Sequence, residues 1–524
     1  MGECELDSWF NLSGEHKLVL LRTARGGWSR NDRKIRSMKQ RDLFGGLNRA
    51  GVRGLIVALK PGNSGGAKGS RKMEGAMQRH TEDQPARVPM AKQVGAVLPS
   101  ADHPLWRVAK PCAWTLRMLT ALITGVKGEK WFALFDKVFA ERNLLAAFQQ
   151  VVSKRGAAGV DHVTTQEFEQ QVPENIWQLA DSLKAGTFQP QAIRRVYIPK
   201  PGTNETRPLG IPTVRDRIVQ AAVVNVIEPI FEKEFAKQSY GFRPGRGCKD
   251  ALRRVDELLK AGYVHIVDAD LKGYFDSIPH DRLMDRLKEK IADGRVLSLI
   301  ESFLKASILD DAVAWTPEAG APQGAVLSPL LSNIYLDPLD HLLAQSGFEM
   351  VRYADDFVIL CRTPEEAVKA LDVVTQWTAC HGLTLHPTKT KIVDARTESF
   401  VFLGYEFRGT KHWPRKKSIQ KLKDAVREKT RRTSGDSLPY VIAKLNQTLH
   451  GWFAYFQHSS YRAILRDLDK WIRMRLRSLL RKRQKRRGRG AGQDHQRWPN
   501  RFFANAGLFS LNTAHQLACQ SSRR

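Results

Sequence analysis

The chain has 524 residues, 42% of them hydrophobic, which is enough for about three domains and a sizeable buried core. Its formal charge of +30 points to a polyanionic partner, with nucleic acid the commonest, because each neutralised phosphate releases bound counterion. The sequence has no apolar run of about 18 residues, so no membrane span is expected. The six cysteines lack any C-x-x-C spacing, which excludes a zinc ribbon and a disulfide framework and fits a reducing cytoplasm.

The N-terminus is no secretory signal: Met1 to Asp7 is acidic and the apolar run Leu18 to Leu21 is too short. Residues 1–89 hold 13 of the 39 glycines, and Lys60 to Arg71 (KPGNSGGAKGSR) reads as linker. This stretch is expected to be a flexible extension or an over-long gene start, followed by a lead-in over 90–130. From about Trp131 the pattern becomes globular. Leu144 to Val152 is apolar at helical spacing, and Val196-Tyr197-Ile198 reads as a strand stopped by Pro199 and Pro201. Arg215 to Phe235 repeats apolar residues at three and four, the mark of a buried helix. Tyr263 to Leu271 (YVHIVDADL) predicts a strand, and Asp281 to Ile308 a helix.

Met350 to Cys361 is two short apolar arms around Ala354-Asp355-Asp356, a β-hairpin with acids at its tip. Pro364 to Cys380 predicts an amphipathic helix and Phe400 to Phe407 a strand. This order predicts an α+β sheet domain covered by helices. Residues 411–489 are different in kind, with 24 Lys/Arg against 5 Asp/Glu. Within them Leu465, Leu468, Ile472, Leu476 and Leu479 step by three or four with Arg and Lys between. That predicts a helix with one face for a core and the other for phosphates. No internal repeat is present.

Two features could carry phosphoryl transfer. Asp270 ends the strand YVHIVDADL, and Asp355 with Asp356 tips the hairpin VRYADDFVIL. Nucleotide polymerisation uses two metal ions about 3.5–4 Å apart. Magnesium takes hard oxygen ligands and keeps several waters, so a few carboxylates on a rigid frame suffice. Crowded carboxylates repel unless a cation lies between them.

Tyr353-Ala354-Asp355-Asp356 resembles the YADD box of reverse transcriptases. Asp270-Leu271-Lys272-Gly273-Tyr274-Phe275-Asp276 resembles the preceding aspartate box of the group II intron branch. Ala321-Pro322-Gln323-Gly324 with Leu327-Ser328-Pro329-Leu330-Leu331 resembles the PQG box between them. Gly382-Leu383 with Lys389-Thr390-Lys391, then Phe402-Leu403-Gly404-Tyr405, resemble the next two boxes. Upstream, Arg207-Pro208-Leu209-Gly210-Ile211-Pro212 and Tyr240-Gly241-Phe242-Arg243-Pro244-Gly245 resemble the fingers boxes. Downstream, His450-Gly451-Trp452-Phe453-Ala454-Tyr455-Phe456 resembles the core of a maturase domain. All stand in family order, and the resemblance covers roughly residues 100 to 520.

The resemblance to group II intron-encoded reverse transcriptase/maturases implies a right-hand polymerase. Fingers and palm, with an antiparallel palm sheet, would occupy 131–408. A basic α-helical thumb/maturase domain would occupy 409–490, and a C-terminal tail 491–524. It implies two Mg2+ ions held by Asp270 and Asp355, with Asp356 nearby and the carbonyl of Leu271 as a further ligand. Phe275 would lie under the incoming sugar and reject a 2′-hydroxyl. Lys200 and Arg207 would hold the triphosphate, Gln323-Gly324 would let the backbone approach the nascent pair, and Lys389 would be a general acid for pyrophosphate. The basic face of Arg473, Arg475, Arg477, Arg481, Lys482 and Arg483 would bind RNA by shape and backbone. The cluster Trp452, Phe453, Tyr455 and Phe456 reads most simply as thumb core.

The implied partners are group II intron RNA, a primed RNA template, deoxynucleoside triphosphates and target DNA, with no membrane. The implied setting is a bacterial cytoplasm, at the nucleoid when in use. No paired-cysteine H-N-H endonuclease follows the maturase-like part, so cutting of the second DNA strand is not expected. Two other readings stay open: a maturase that binds RNA without polymerase activity, and a reverse transcriptase with a host role of the retron or CRISPR-linked kind. The intact aspartates speak against the first, and the segment from Leu449 onward against the second.

Overall fold

The computed structural model describes residues 108–199, 206–311, 313–488 and 492–521. The expected flexible extension 1–89 and Lys200 lie outside the described residues, as does the lead-in up to residue 107. The rest of that lead-in belongs to the core: Ala113, Trp114, Met118 and Leu119 are buried, and Trp114 Nε1 donates to the Asn225 carbonyl at 3.1 Å. The chain therefore becomes globular before Trp131, because its lead-in supplies the cover for the helix Val214–Glu232. That helix is buried along most of its surface, Asp216, Arg217, Gln220 and Asn225 included, and is capped by Thr213, whose side chain accepts from the Asp216 amide.

Strands β1 (Ile193–Pro199) and β2 (Thr206–Ile211) pair antiparallel. Strand β3 (His265–Asp270) belongs to a second sheet. The single helix expected over Asp281 to Ile308 is two, His280–Lys288 and Gly294–Leu304. Asp293 divides them. Its Oδ1 caps the second helix by accepting from Arg295 and Val296, while Oδ2 accepts the amides of Leu134 and Phe135 at 2.7 and 2.9 Å. Ile308 itself opens β4 (Ile308–Asp310), which lies parallel to β1 and pairs with β5 (Val313–Trp315). The first sheet thus has the order β2-β1-β4-β5.

The second sheet is antiparallel throughout. The helix Ser328–Gln345 precedes β6 (Glu349–Tyr353), which turns into β7 (Asp356–Cys361). The helix Pro364–Cys380 has the predicted limits. Thr363 caps it, with Pro364 and two glutamates in its first turn. Strand β8 (Lys391–Asp394) then pairs with β3, giving the order β6-β7-β3-β8. The strand expected over Phe400 to Phe407 is a tight hairpin of β9 (Phe400–Phe402) and β10 (Tyr405–Arg408). Its turn residues Leu403 and Gly404 both have positive φ, 46° and 78°, which fits a hairpin twist. Strand β11 (Lys411–Pro414) completes this third sheet.

The basic region is helical. Helices Lys416–Lys429, Leu438–Phe456 and Arg462–Arg483 share a core in which Leu465, Leu468, Ile472, Leu476 and Leu479 are buried. The segment expected as a tail is folded onto them as helices Gly492–Arg497, Asn500–Asn505 and Leu511–Ser521, with Phe503 and Leu511 buried. Asp469 holds the last of these by accepting the amides of Leu511 and Asn512. The aromatic cluster is core. Tyr455 and Phe456 pack with the second and third sheets and Phe453 with the helices. Tyr405 donates to the Tyr455 carbonyl and Tyr455 to that of Leu403, at 2.8 and 2.7 Å. Among the described residues no helix is long and apolar enough to cross a membrane.

Candidate active site

The acids predicted from the sequence meet at one end of the second sheet. Residues 265–270 of β3 run antiparallel to 356–361 of β7, and the last pair in that register is Asp270 with Asp356. Tyr353 pairs with Asp356 across the hairpin, so Ala354 and Asp355 form a two-residue turn. Ala354 takes φ +60°, a conformation hairpin turns require and a side chain resists. Asp270, Asp355 and Asp356 are each half-buried.

Their electrostatics are those of carboxylates packed together. Burial holds Asp356 well above the ordinary carboxylate range, and Asp268, Asp355 and Asp270 push it further. Burial also raises Asp355, with Asp270 adding to the rise and Arg207 opposing it. Asp268 is pushed up to about 6 by burial, with Lys391 opposing and Asp270 adding. Such a donor set fits a hard divalent cation, which would relieve the repulsion. Among the described residues no group of three or more acidic, His or Cys side chains could hold a metal by itself. An ion here would draw its other oxygens from water or a phosphate.

The other expected residues surround this end of the sheet in different ways. Lys389 Nζ lies 3.1 Å from Asp270 Oδ2. Leu271 is buried and bridges to Leu385. Phe275 is buried against Tyr274, and its carbonyl accepts from the Ala321 amide at 2.7 Å, tying the aspartate box to the PQG box. Arg207 stands on β2 opposite Ile198, within electrostatic reach of Asp355. The Gln323 carbonyl accepts from the Gly210 amide at 2.7 Å. A Cβ at Gly324 would stand 2.5 Å from the Gly210 oxygen, so this close approach needs glycine. Gln220 orients the loop by accepting from Val326 at 2.8 Å.

The expected RNA face divides. Lys482 and Arg483 are exposed and Arg473 half-exposed. Arg475 donates to Thr430 through Nε and Nη2, and Arg481 pairs with Asp494 at 2.8 Å. Arg477 is a correction: it is 2% exposed, and its guanidinium donates to the Trp498 carbonyl and Asn500 Oδ1, both at 2.9 Å. The folded C-terminal segment covers it, so it is a packing residue and not part of a phosphate face.

Residues absent from the sequence reading hold the acidic turn. Arg352 and Asp340 form an ion pair with no exposure on either side chain. Arg352 Nη1 also donates at 2.9 Å to Asn333 Oδ1 and to the Ala354 carbonyl. Asn333 in turn donates to the Gly241 carbonyl at 2.9 Å. The signal was present in the sequence: Asn333 and Asp340 stand two turns apart on one face of a leucine-rich helix, SPLLSNIYLDPLDHLL.

Residues 198–407 match the family model "Reverse transcriptase (RNA-dependent DNA polymerase)", and residues 419–498 match "Group II intron, maturase-specific domain". Protein YkfC of Escherichia coli K12 is 34% identical over 308 residues, covering 50% of this chain and 79% of YkfC. The group II intron-encoded protein LtrA of Lactococcus lactis is 39% identical over 221 residues, covering 42% of this chain and 36% of LtrA. An uncharacterized 91 kDa protein in a cob intron of Schizosaccharomyces pombe is 33% identical over 285 residues, 43% of this chain and 35% of that protein. The match thus spans about a third of the length of the last two relatives.

Proposed function

The chain belongs to the group II intron reverse transcriptase/maturase family, and from that premise we propose that it copies intron RNA into DNA by two-metal nucleotidyl transfer and grips the intron through its helical basic domain. The observation that carries the reading is the direct cross-strand pairing of Asp270 with Asp356 beside the Asp355 turn. Asp270 and Asp355 would hold the ions, with Asp356 and the Leu271 carbonyl as further donors. Magnesium suits this all-oxygen set, and when bound it would supply Lewis acidity to the primer 3′-oxygen and charge neutralisation to the triphosphate. Burial and the neighbouring carboxylates raise Asp356, and a bound cation would oppose that rise.

The remaining residues position substrate. Arg207, with Lys200 and Lys389, would meet the triphosphate, and Lys389 would give a proton to departing pyrophosphate. Buried Phe275 would present its ring to the sugar and exclude a 2′-hydroxyl. Gln323 and Gly324, on a loop tied to Gly210, would lie along the nascent pair. The exposed basic residues of the helical domain, Lys482 and Arg483 among them, would take RNA phosphates. Substrates on this reading are a primed RNA template, deoxynucleoside triphosphates and, for mobility, target DNA.

The test is Asp355→Asn assayed twice on one preparation: DNA synthesis on a primed RNA template, and splicing of the intron RNA at low magnesium. The change keeps size and removes one charge. Charge neutralisation and metal-held geometry carry most of phosphoryl-transfer catalysis, so DNA synthesis falls by several orders of magnitude. RNA affinity and splicing remain near wild type. A wild type that makes no DNA leaves the RNA-binding reading alone standing.

A further inference from the structure

We propose that Arg352, working with Asp340 and Asn333, is a positioning residue for catalysis: a buried clamp that fixes where the Ala354-Asp355 turn presents its carboxylates. The inference rests on the polymerase reading of that turn. Arg352 is the last residue but one of β6, two positions before Ala354 and three before Asp355. Its planar fork divides its bonds. Nε donates to Asp340 Oδ1 at 2.7 Å and Nη2 to Asp340 Oδ2, a two-point grip on the carboxylate. Nη1 reaches forward to the Ala354 carbonyl, the peptide group that precedes Asp355, and sideways to Asn333.

The backbone of Arg352 is held as well. Its amide donates to the Gln238 carbonyl at 3.0 Å and its carbonyl accepts from the Tyr240 amide at 2.8 Å. Gly241, next in that segment, packs directly on the turn. The turn is therefore held on one side by residues 238–241. On the other the helix Ser328–Gln345 reaches it through Asn333, Asp340 and the guanidinium. Ala354 occupies left-handed backbone that a non-glycine residue keeps only where its surroundings over-determine it.

A stability role explains this arrangement poorly. A fully buried ion pair contributes little net stability against apolar residues of the same volume, because desolvation opposes the Coulomb gain. What apolar residues cannot reproduce is the bond to the Ala354 carbonyl and the orientation of Asn333. A lysine cannot reproduce it either, since it lacks the fork.

The experiment uses the full chain with Arg352→Met and Asp340→Leu combined, which removes both charges and so leaves neither unpaired. Thermal midpoint, RNA affinity, and kcat and KM for deoxynucleotide in primer extension are measured together. The expected result is a midpoint lowered by no more than the orphaned Ala354 carbonyl and Asn333 Oδ1 account for, wild-type RNA affinity, little change in KM, a fall in kcat of about 100-fold, and a raised magnesium requirement. Asn333→Leu keeps the Arg352–Asp340 ion pair, adds no charge, and removes the acceptor for Arg352 and the donor to Gly241. It shows the same pattern at about 10-fold, and it decides the matter should the double variant not fold. A folded variant with wild-type kcat and magnesium dependence overturns the clamp. A wild type without DNA synthesis instead overturns the polymerase reading on which it rests.

Discussion

Gly241→Ala is the smallest change that should move the acidic turn. A Cβ at Gly241 would stand 2.1 Å from the Ala354 amide nitrogen, 2.8 Å from the Tyr353 carbonyl carbon and 3.0 Å from Ala354 Cα. All three are backbone atoms, so no rotamer change relieves the contact. Ordinary van der Waals contact begins at 3.4 Å, so the two segments must separate by about 1.3 Å. The Asn333 bond to the Gly241 carbonyl would loosen with them. A displacement of about 1 Å at reacting groups costs on the order of 100-fold in rate, or about 2.7 kcal/mol in the barrier. Overpacking of this kind costs about 1–3 kcal/mol of stability, which a domain of this size can absorb. Single-turnover primer extension measures the first effect, urea unfolding the second, and RNA affinity on the same preparation serves as the control. A folded Gly241→Ala protein that extends primers at the wild-type rate would refute the claim that the fit of residue 241 against the turn sets the position of Asp355.

Phe275→Val should raise ribonucleotide incorporation relative to deoxyribonucleotide, since the buried ring is the proposed wall against a 2′-hydroxyl; unchanged discrimination removes that role. Replacing exposed Lys482 and Arg483 by alanine should flatten the slope of log affinity against log salt by about one to two. Arg477→Ala should leave that slope alone and cost about 1–3 kcal/mol of stability through the orphaned Trp498 carbonyl; the opposite outcome would return Arg477 to the RNA face. Burial pushes Glu228 up from 4.5 to about 7, with Lys110 opposing and Glu232 adding. The folded state therefore holds a proton there that the unfolded state has released, and stability falls as pH rises from about 4.5 to 7, by roughly 2–3 kcal/mol. Glu228→Gln should abolish that fall, as thermal midpoints at pH 5 and pH 8 would reveal; parallel profiles for variant and wild type would contradict it.

The sequence reading reached the site because its parts are local. Alternation in YVHIVDADL and VRYADDFVIL marks strands whatever they pair with, and the helix Pro364–Cys380 carries its own cap and proline. Where the reading ran past a boundary, a distant residue decided. Asp293 begins the second helix as its N-cap and is held in place because it also serves the amides of Leu134 and Phe135. Leu403 and Gly404 fold back because β10 has β9 and β11 to pair with.

The sequence by itself determined which residue types stand at which strand ends, the large positive excess of the last third, and the apolar stripe of Leu465 to Leu479. Side-chain period and composition need no tertiary partner. Only the tertiary structure decided that Asp270 faces Asp356, because that register joins strands separated by most of the palm sequence. Only it decided that Arg477 turns inward while Lys482 stays in solvent, because the cover comes from Trp498 and Asn500 further along the chain. The same holds for Arg352. An arginine within a strand reads as surface until Asp340 and Asn333 arrive from another helix to satisfy its donors, since a buried charge is tolerable only when its partners are brought to it.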